Sequence, residues 1–295
     1  MKVLITGGTG YVGSAVRRCL REIGHNVRLL VREGSEKKLN SSEGYDVVTG
    51  DILNSNSCLR ACDGMDAVVH LVGIIREFPL EGITFEDLHV AATFNIADAA
   101  RRMGAGRFVH MSALGSGENA SSVYHRTKYA AEQVVRRSQL QWTIFRPSVI
   151  FEKGSEFIQT LTELVRRRYV PVIGGGKTFM QPIALSDVCT CMCHAVTMPE
   201  THSQVYELGG PEQITFREMI EAVASALGVR IRTASVPAWA VRPVVRLMER
   251  FPSFPLTSDQ LAMLCEDNVC DIEPYTSTFG IHPVSFTHAL PAIVE

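Results

Sequence analysis

The stretch Thr6-Gly7-Gly8-Thr9-Gly10-Tyr11-Val12-Gly13 determines which fold this chain of 295 residues is expected to adopt. The run Lys2–Thr6 before it is aliphatic and β-branched and is predicted to be a strand. From Val12 onwards apolar residues recur at helical spacing until Gly24, which is typical of an amphipathic helix that ends at a glycine. Glycines at G-x-x-G-x-x-G spacing between a strand and a helix are typical of the turn that binds a dinucleotide pyrophosphate. A strand–turn–helix that binds no ligand is the alternative.

Each glycine of this turn has an expected role. Gly7 allows the tight turn, Gly10 lets the pyrophosphate approach the backbone, and Gly13 lets the helix pack closely against the sheet. The free N–H groups and the positive dipole end of the helix favour phosphate. The residues predicted to contact the cofactor here are Gly7, Thr9, Gly10, Tyr11, Val12 and Gly13.

The residue after the second predicted strand, Asn26–Val31, distinguishes the two nicotinamide cofactors. An acidic residue there hydrogen-bonds the 2′-hydroxyl of NAD, whereas an arginine accommodates the 2′-phosphate of NADP. Arg32 stands at this position, with Lys37 and Lys38 shortly after it. The pattern therefore favours NADP, and the neighbouring Glu33 leaves NAD as the alternative.

Short apolar runs alternate with helical patterns through the first half of the chain, which favours βαβ units. The fold class predicted is α/β, a doubly wound parallel sheet (Rossmann) with a smaller, mostly helical C-terminal substrate region. The predicted domains are a nucleotide-binding domain over 1–151, a substrate-region segment over 152–180, a return to the first domain over 181–208 and a C-terminal cap over 209–295.

Composition and charge exclude several classes of protein. With 46% hydrophobic residues the chain is expected to fold, and its formal net charge of −2 argues against nucleic-acid binding. No apolar run approaches the roughly 18 residues of a membrane-spanning helix, and the N-terminus does not resemble a signal peptide. We therefore expect a cytoplasmic protein, with peripheral membrane association as the alternative.

The eight cysteines are too sparse to indicate a disulfide scaffold. Cys189, Cys191 and Cys193 are candidate metal ligands, but a helix over Ser186–Val196 would turn the middle one away from the other two. Zinc sites usually combine two ligand pairs of the C-x₂₋₄-C type, and no convincing second pair is present. No metal site is predicted, and buried, reduced cysteines are expected instead.

A series of motifs in fixed order resembles the short-chain dehydrogenase/reductase superfamily, in its extended or atypical branch. The motifs are TGGTGYVG at 6–13, GDI at 50–52, HLVG at 70–73, HVAATFNIADAARRMG at 89–104, RFVHMSA at 107–113, YHRTK at 124–128, FRPSVIF at 145–151, QPIALSDV at 181–188 and YELGGP at 206–211. HLVGI at 70–74 and FPLTSDQLAMLCEDNV at 254–269 are most similar to the atypical subgroup. That subgroup includes the NAD(P)-binding accessory subunit of respiratory complex I and bacterial NAD-dependent epimerase/dehydratase relatives.

The resemblance implies hydride transfer with a nicotinamide cofactor, in which the Tyr and Lys of Y-x-x-x-K do the acid–base work. Tyr124 and Lys128 match this motif, and their spacing of four places them on one helix face. Lys128 is expected to hold the nicotinamide ribose and to lower the pKa of the Tyr124 phenol. The start of an ordinary amphipathic helix is the alternative for this motif.

The resemblance also implies cofactor contacts at the ends of later strands. Asp51 would meet the adenine amine, with a turn-forming role as the alternative. Pro147 and Val149 follow the sixth strand, where the family runs its backbone past the nicotinamide, and Arg146 is as readily structural. The other implied contacts are Ile52, Leu71, Val72, Gly73, Met111, Ser112, Tyr124 and Lys128.

Three features depart from the family's pattern. Ser112 lies one place before the usual catalytic hydroxyl, where Ala113 stands, so Ser112 is a catalytic candidate and Ser116 a substitute. The segment between Ser112 and Tyr124 is short, which leaves a small substrate loop. His89 takes the place of the Asn that is usual in the long helix before strand five.

Two functions remain open at this point. The first is an NAD(P)-dependent oxidoreductase or epimerase-like enzyme that acts on a small carbonyl or alcohol or on a nucleotide-linked substrate. The second is a catalytically weak NAD(P)H-binding subunit with a structural or redox-sensing role in a larger, respiratory-type assembly. The retained Tyr–Lys pair favours the enzyme, whereas Ala113 and the short loop favour the binding subunit.

Residues 238–251 are predicted to form a basic amphipathic helix. One face carries Arg242, Arg246, Glu249 and Arg250, and Val241, Val244, Val245 and Met248 lie elsewhere. Such a helix either packs on its own domain or contacts a membrane or a protein partner. Both alternatives stay open, and the sequence does not indicate an oligomeric state.

Overall fold

The computed structural model describes residues 1–39, 44–251, 254 and 256–294. Within these ranges the chain forms two compact units. The first comprises Met1–Arg146 and Val188–Tyr206, and the second comprises Pro147–Asp187 and Glu207–Glu295. Pro255 of the FPLTSDQLAMLCEDNV motif lies outside the described residues, as do residues 252, 253 and 295 of the predicted cap.

Thirteen strands lie in the described part of the chain. They are β1 Lys2–Thr6, β2 Asn26–Val31, β3 Asp46–Thr49, β4 Ala67–His70, β5 Arg107–Met111, β6 Gln141–Pro147, β7 Ile150–Phe151, β8 Tyr169–Ile173, β9 Phe179–Met180, β10 Ile183–Ala184, β11 Gln204–Leu208, β12 Ile214–Thr215 and β13 Arg232–Val236. Seven of them form one sheet in the order β11-β6-β5-β4-β1-β2-β3, and the pairs from β3 through β6 are parallel. The predicted doubly wound parallel sheet is confirmed.

Helices connect these strands. They are α1 Tyr11–Glu22, α2 Ser55–Cys62, α3 Ala92–Arg102, α4 Val123–Arg137, α5 Glu156–Arg166, α6 Leu185–Ala195, α7 Phe216–Ala226, α8 Ala238–Met248, α9 Ser258–Leu264, α10 Glu273–Phe279 and α11 Phe286–Ile293. A π-helical turn, Glu86–Ala91, leads directly into α3. Among the described residues no helix is both long and apolar enough to cross a membrane.

The glycine turn after β1 depends on two close approaches. Gly7 has a φ of +77°, and a Cβ placed there would lie 2.9 Å from the carbonyl carbon of Leu71. A Cβ at Gly13 would lie 2.1 Å from the carbonyl oxygen of Gly7 and 2.8 Å from the Cα of Gly8. The helix therefore needs a glycine at position 13 because it packs against the turn itself. We expected the contact to be with the strands of the sheet.

A buried arginine joins the two sequence segments of the first unit. The Arg107 guanidinium donates to the carbonyl oxygens of Gln141 at 2.7 Å and Ala195 at 2.6 Å, and to the hydroxyl of Thr201 at 2.8 Å. Burial lowers the pKa of Arg107 to about 10, which leaves the group charged at neutral pH. These bonds tie the segment after α6 to β5 and β6.

The second unit combines α5 and α7 to α11 with three two-stranded sheets. Its side-chain hydrogen bonds tie distant segments together. The Gln181 side chain donates to the carbonyl of Gly210 and accepts from the amide of Cys270, both at 2.8 Å. The α7 helix begins with a capping box in which Thr215 and Glu218 bond to each other's backbone amides, as the T-x-x-E pattern predicts.

The Gly13→Ala variant tests the helix–turn contact. Because the added methyl group has no space beside the Gly7 carbonyl, the free energy of unfolding should fall by about 1–3 kcal/mol or more. Urea unfolding followed by circular dichroism measures this change. The matched control is Gly106→Ala, whose Cβ would have no heavy atom within 4 Å and which should shift stability by less than about 0.5 kcal/mol. Equal stability of the two variants would contradict the contact.

Candidate functional site

The site residues of the first unit gather where the parallel strands end. Thr6 of β1 lies opposite His70 of β4, and His70 lies opposite His110 of β5. Three polar side chains therefore form a row near the ends of neighbouring strands that are mostly apolar and buried. Ligands of doubly wound sheets bind beyond this edge of the sheet.

The turn between β1 and α1 fits a pyrophosphate. Gly10 is the N-cap of α1, so no side chain caps the helix, and its first turn contains no acidic residue. The amide of Gly10 donates to the carbonyl of Gly7 at 3.0 Å, which fixes the turn. The two close approaches at Gly7 and Gly13 leave no room for side chains inside the turn. The first-turn amides of α1 can thus bind an anion that approaches the helix end.

The residues predicted at the ribose and adenine are exposed or form turns. Arg32 and Glu33 both follow β2 as exposed side chains. Asp51 follows β3, and its Oδ1 accepts a hydrogen bond from the amide of Leu53 at 2.9 Å. Its carboxylate therefore forms a turn in this structure, which was the alternative role for this residue. The neighbouring Ile52 side chain is buried in the core.

The ends of β4 and β5 border Lys128. The amide of Leu71 continues the β4 pairing by donating to the Thr6 carbonyl at 3.0 Å. A Cβ placed on Gly73 would lie 3.6 Å from Lys128 Nζ and 3.5 Å from His89 Nε2. Lys128 Nζ donates to the carbonyl of Met111, at the end of β5, at 2.6 Å. The structure thus brings together the predicted residues of both strand ends and the lysine of Y-x-x-x-K, with Val72 between Leu71 and Gly73.

Tyr124 and Lys128 lie on the first two turns of α4. The helix begins after Ser122, whose hydroxyl accepts from the amide of His125 at 3.1 Å. Aromatic rings surround the Tyr124 ring edge to face, with centroid distances of 5.8 Å to Phe85, 5.4 Å to His89 and 5.2 Å to His125. This packing holds the Tyr124 ring in a fixed orientation on the helix.

Burial sets the protonation of this pair. It raises the pKa of the Tyr124 phenol to about 12. It lowers the pKa of the Lys128 ammonium to about 8, against the opposing effect of the Glu132 carboxylate. Burial accounts for the raised phenol pKa in the protein alone, and a role of Lys128 in lowering that pKa when the cofactor is bound stays a prediction.

Ser112 is bound to a buried carboxylate. Its hydroxyl donates to Glu132 Oε1 at 2.6 Å, and Ser116 lies 3.2 Å away. Arg146 binds both oxygens of the same carboxylate at 2.8 Å each, and Glu132 is fully buried. The only hydroxyl proton of Ser112 is therefore committed to Glu132. A substrate role for Ser112 stays a prediction, and Arg146 has the structural role that was one of its two alternatives.

A chain of hydrogen bonds fixes the tautomer of His70. The Thr93 hydroxyl donates its proton to the carbonyl of His89 at 2.5 Å, so it can only accept from His70 Nε2–H, at 3.0 Å. His70 Nδ1 then accepts from the Thr6 hydroxyl at 2.6 Å. Burial and the nearby Lys128 charge lower the pKa of His70 to about 3, so the ring is neutral.

His89 bonds to Thr127 and to the backbone of Ile74. Its Nδ1 lies 2.8 Å from the Thr127 hydroxyl, which also lies 3.0 Å from the main-chain carbonyls of Val123 and Tyr124. Its Nε2 lies 3.2 Å from the Ile74 amide and 3.1 Å from the Ile74 carbonyl, so each neutral tautomer finds a partner at both nitrogens. Burial and the Lys128 charge lower the pKa of His89 to about 3.

His110 completes this row without comparable bonds. Its ring stacks on His70 at a centroid distance of 5.4 Å and is 1% exposed. Among the described residues neither of its ring nitrogens has a hydrogen-bond partner. Burial, followed by the charge on Lys128, lowers the pKa of His110 well below its usual value of 6.5.

Pro147 and Val149 belong to the second unit. Pro147 ends β6, and the carbonyl of Val149 accepts from the amide of Ile183 at 3.0 Å. Their cofactor contacts stay a prediction. The cysteines Cys189, Cys191 and Cys193 are buried in α6, and no group of three or more His, Cys, Asp or Glu in the described ranges is arranged to hold a metal ion.

Several polar residues of this site were missed by sequence reasoning. His70 and His110 each stand near the end of a buried apolar strand, and that position was a usable signal. The Glu132–Arg146 pair gave no signal, because its two residues come from a helix and a later strand.

Comparisons with known proteins agree with this arrangement. A family model described as the NAD dependent epimerase/dehydratase family matches residues 3–209. The chain is 26% identical over 290 residues to the NADH-ubiquinone oxidoreductase 40 kDa subunit of Neurospora crassa, covering 96% of this chain and 76% of that protein. It is 23% identical over 234 residues to an NAD(P)H azoreductase of Xenophilus azovorans, covering 79% and 77%. The crystal structure of a nucleoside-diphosphate-sugar epimerase from Staphylococcus aureus shares the fold, with a TM-score of 0.79, 18% identity and coverage of 99% and 100%.

The buried histidines should make the protein sensitive to acid. Because their pKa values are lowered in the folded state, the unfolded chain binds protons first as the pH falls below about 6.5, and stability is lost. Each histidine contributes a slope of about 1.4 kcal/mol per pH unit. The His110→Phe variant should be at least as stable as the wild type at pH 7. As the pH falls, its free energy of unfolding should decrease less steeply than that of the wild type, by about 1.4 kcal/mol per pH unit.

Urea unfolding at several pH values between 7.5 and 5, about the range in which an unperturbed histidine titrates, measures this slope. The wild type, measured in parallel, provides the reference slope. An unchanged slope in His110→Phe would show that His110 titrates normally in the folded protein.

Proposed function

The chain belongs to the NAD-dependent epimerase/dehydratase family, and we propose that it is an NAD(P)-dependent oxidoreductase. In this proposal the turn of residues 7–13 binds the dinucleotide, and Tyr124 and Lys128 handle the proton that accompanies hydride transfer. The substrate proposed is a small carbonyl or alcohol or a nucleotide-linked compound, and the second unit is proposed to bind it.

One observation carries the proposal. Lys128 is 3% exposed, and the strand ends that border it at Gly73 and Met111 are those beyond which doubly wound sheets bind their ligands. Tyr124 lies one helical turn before it, on the same face of α4. A purely structural helix gains nothing from a buried ammonium, because removing that charge from water is costly.

When bound, the nicotinamide supplies or accepts the hydride. Tyr124 is then the group that exchanges the proton at the substrate oxygen. With its pKa raised to about 12, the phenol is protonated at neutral pH, so it is suited to donate a proton as a carbonyl is reduced. Alcohol oxidation needs the phenolate, and lowering that pKa to about 7 requires roughly 7 kcal/mol of preferential stabilisation. Alcohol oxidation would therefore depend on groups that stabilise the phenolate once the cofactor is bound.

The lowered pKa of Lys128 makes both of its protonation states accessible near neutral pH. With a pKa of about 8 it is mostly charged at neutral pH. Its carbonyl partner at Met111 holds the ammonium at the strand ends, where it can donate to a ribose hydroxyl and favour negative charge on the Tyr124 oxygen. His70, His89 and His110 stay neutral around it and add no competing positive charge.

NADP is the cofactor we propose as preferred. Arg32 directly follows β2, at the position that meets the 2′ substituent of the adenosine ribose in this fold, and its side chain is exposed. The guanidinium suits a phosphate because it donates two hydrogen bonds in one plane. Glu33 beside it is equally exposed and is the residue that would serve NAD.

A second candidate function is a cofactor-binding subunit of a larger assembly that catalyses weakly. The observation that favours it is the commitment of the Ser112 hydroxyl to Glu132, together with the methyl side chain of Ala113 beside it. With Ser112 bound to Glu132 and Ala113 lacking a hydroxyl, neither residue supplies the third catalytic hydroxyl that is usual in the family. The similarity to the subunit from Neurospora crassa is consistent with this candidate.

The Tyr124→Phe variant separates the two candidates. It removes the proton donor but keeps the ring packing, so NADPH oxidation with an accepted carbonyl substrate should slow at least 100-fold. Cofactor affinity, measured by calorimetry, should change less than about twofold. Tyr129→Phe on the same helix is the matched control. A full rate in Tyr124→Phe overturns the acid role, and tight cofactor binding without turnover of any carbonyl, quinone or azo compound in the wild type favours the second candidate.

The Arg32→Ala variant tests the cofactor preference. The wild type should bind NADPH at least tenfold more tightly than NADH, and the variant should bind the two alike because the phosphate partner is gone. Calorimetric titration with both reduced cofactors gives the dissociation constants. Lys38→Ala, another exposed cation of the same loop, is the control and should keep most of the preference. Equal affinities in the wild type would refute the 2′-phosphate role.

A further inference from the structure

The helix α8 and Phe251 after it expose a row of apolar side chains. Trp239, Leu247 and Phe251 are 76%, 56% and 46% exposed, and Val244 beside them is 54% exposed. With Pro243, which is also exposed, the residues 239, 243, 247 and 251 recur every four positions and lie along one side of the helix. Large apolar side chains in a continuous exposed row are unusual on a protein surface and mark an interaction site.

The opposite side of α8 packs inward. Val245 is 1% exposed, and Val241 and Met248 are half-buried. The helix therefore has two apolar sides, of which packing within the protein uses one. Packing within the protein therefore accounts for the side of Val245, whereas the row that contains Trp239 is exposed.

A row of arginines runs beside the exposed apolar row. Arg242, Arg246 and Arg250 also recur every four positions and are exposed. The only acidic residue in residues 238–251 is Glu249, which is half-buried and whose carboxylate accepts from the amide of Ser258 at 2.6 Å. The exposed surface of the helix is thus apolar on one side and purely cationic on the adjoining side.

We propose that α8 with Phe251 binds in the plane of an anionic lipid bilayer. Tryptophan and phenylalanine are favoured at the boundary between headgroups and acyl chains, where apolar rings are buried and polar edges stay wet. The neighbouring arginines then contact lipid phosphates while their aliphatic stems cover apolar surface. The helix has 11 residues, about 16 Å, which is too short to cross a bilayer but suits an interfacial position.

A lipid surface fits these residues better than a protein groove does. A protein partner would have to cover the apolar row and also match three arginines along some 12 Å of helix with acidic groups of its own. An anionic bilayer supplies both the apolar layer and a continuous negative surface, whatever the exact spacing of the side chains. The membrane contact does not depend on the proposed oxidoreductase activity.

The intrinsic fluorescence of the full chain provides a direct test. The sequence has two tryptophans, of which Trp142 is buried at 8% exposure and Trp239 is the exposed one. In a Trp142→Phe background, Trp239 is the sole reporter. Vesicles of phosphatidylcholine with phosphatidylglycerol should shift its emission to the blue, and brominated lipids should quench it. Phosphatidylcholine alone should bind at least tenfold more weakly, and added salt should weaken binding to the anionic vesicles.

Two variants and a control distinguish binding through α8 from nonspecific electrostatic attraction between the protein and the anionic vesicles. In vesicle sedimentation, Arg242→Glu/Arg246→Glu and, separately, Leu247→Ser should each reduce partitioning, the first at least tenfold. Arg101→Glu/Arg102→Glu makes the same charge change at exposed positions of the first unit and should keep most of the binding. Cofactor affinity should be unchanged in all three, which shows that they are folded.

Three outcomes would overturn the proposal. The first is that the protein binds no vesicle of any composition, which would indicate that the helix faces a protein. The second is that it binds zwitterionic vesicles as tightly as anionic ones. The third is that Arg242→Glu/Arg246→Glu and the control Arg101→Glu/Arg102→Glu lose the same amount of binding. Because cofactor binding and turnover are measured separately, failure here leaves the proposed enzymatic function untouched.

Discussion

Two opposite charges buried one turn apart on α4 govern the polar interior of the first unit. The Lys128 ammonium and the Glu132 carboxylate are both removed from water, and each needs local partners because an unpaired buried charge is costly. Glu132 obtains them from Arg146 and Ser112, and Lys128 from the carbonyl at the end of β5. Burial, followed by the charge on Lys128, keeps the surrounding histidines His70 and His110 neutral.

This arrangement constrains the chemistry of the site. Tyr124 and Lys128 lie on one helix, the phenol with a raised pKa and the ammonium with a lowered one, and the rings of Phe85 and His89 pack against the phenol. The π-helical turn before α3 places His89 against both the Tyr124 ring and the strand end at Gly73.

The parts of the fold that depend on local patterns could be predicted, and those that depend on distant contacts could not. The β1–turn–α1 unit and the doubly wound parallel sheet follow from glycine spacing and alternating apolar runs. The Glu132–Arg146 pair requires knowing how α4 lies on β6, and no spacing in the sequence encodes it. The direction of the Tyr124 pKa in the protein alone was missed for a similar reason, because it depends on how the folded chain buries the phenol. For α8 the pattern identified two faces, but only the structure distinguishes the packed face from the exposed one.

The bonds of Arg107 have a consequence for how such a chain can diversify. The first unit is discontinuous: the chain leaves it after Arg146 and returns at Val188, and Arg107 binds both to β6 and to the returning segment. A fragment that carries the second unit would therefore have to leave both segments of the first unit in place for Arg107 to keep these partners. The guanidinium of Arg107 thus links the two points at which the chain leaves and re-enters the first unit.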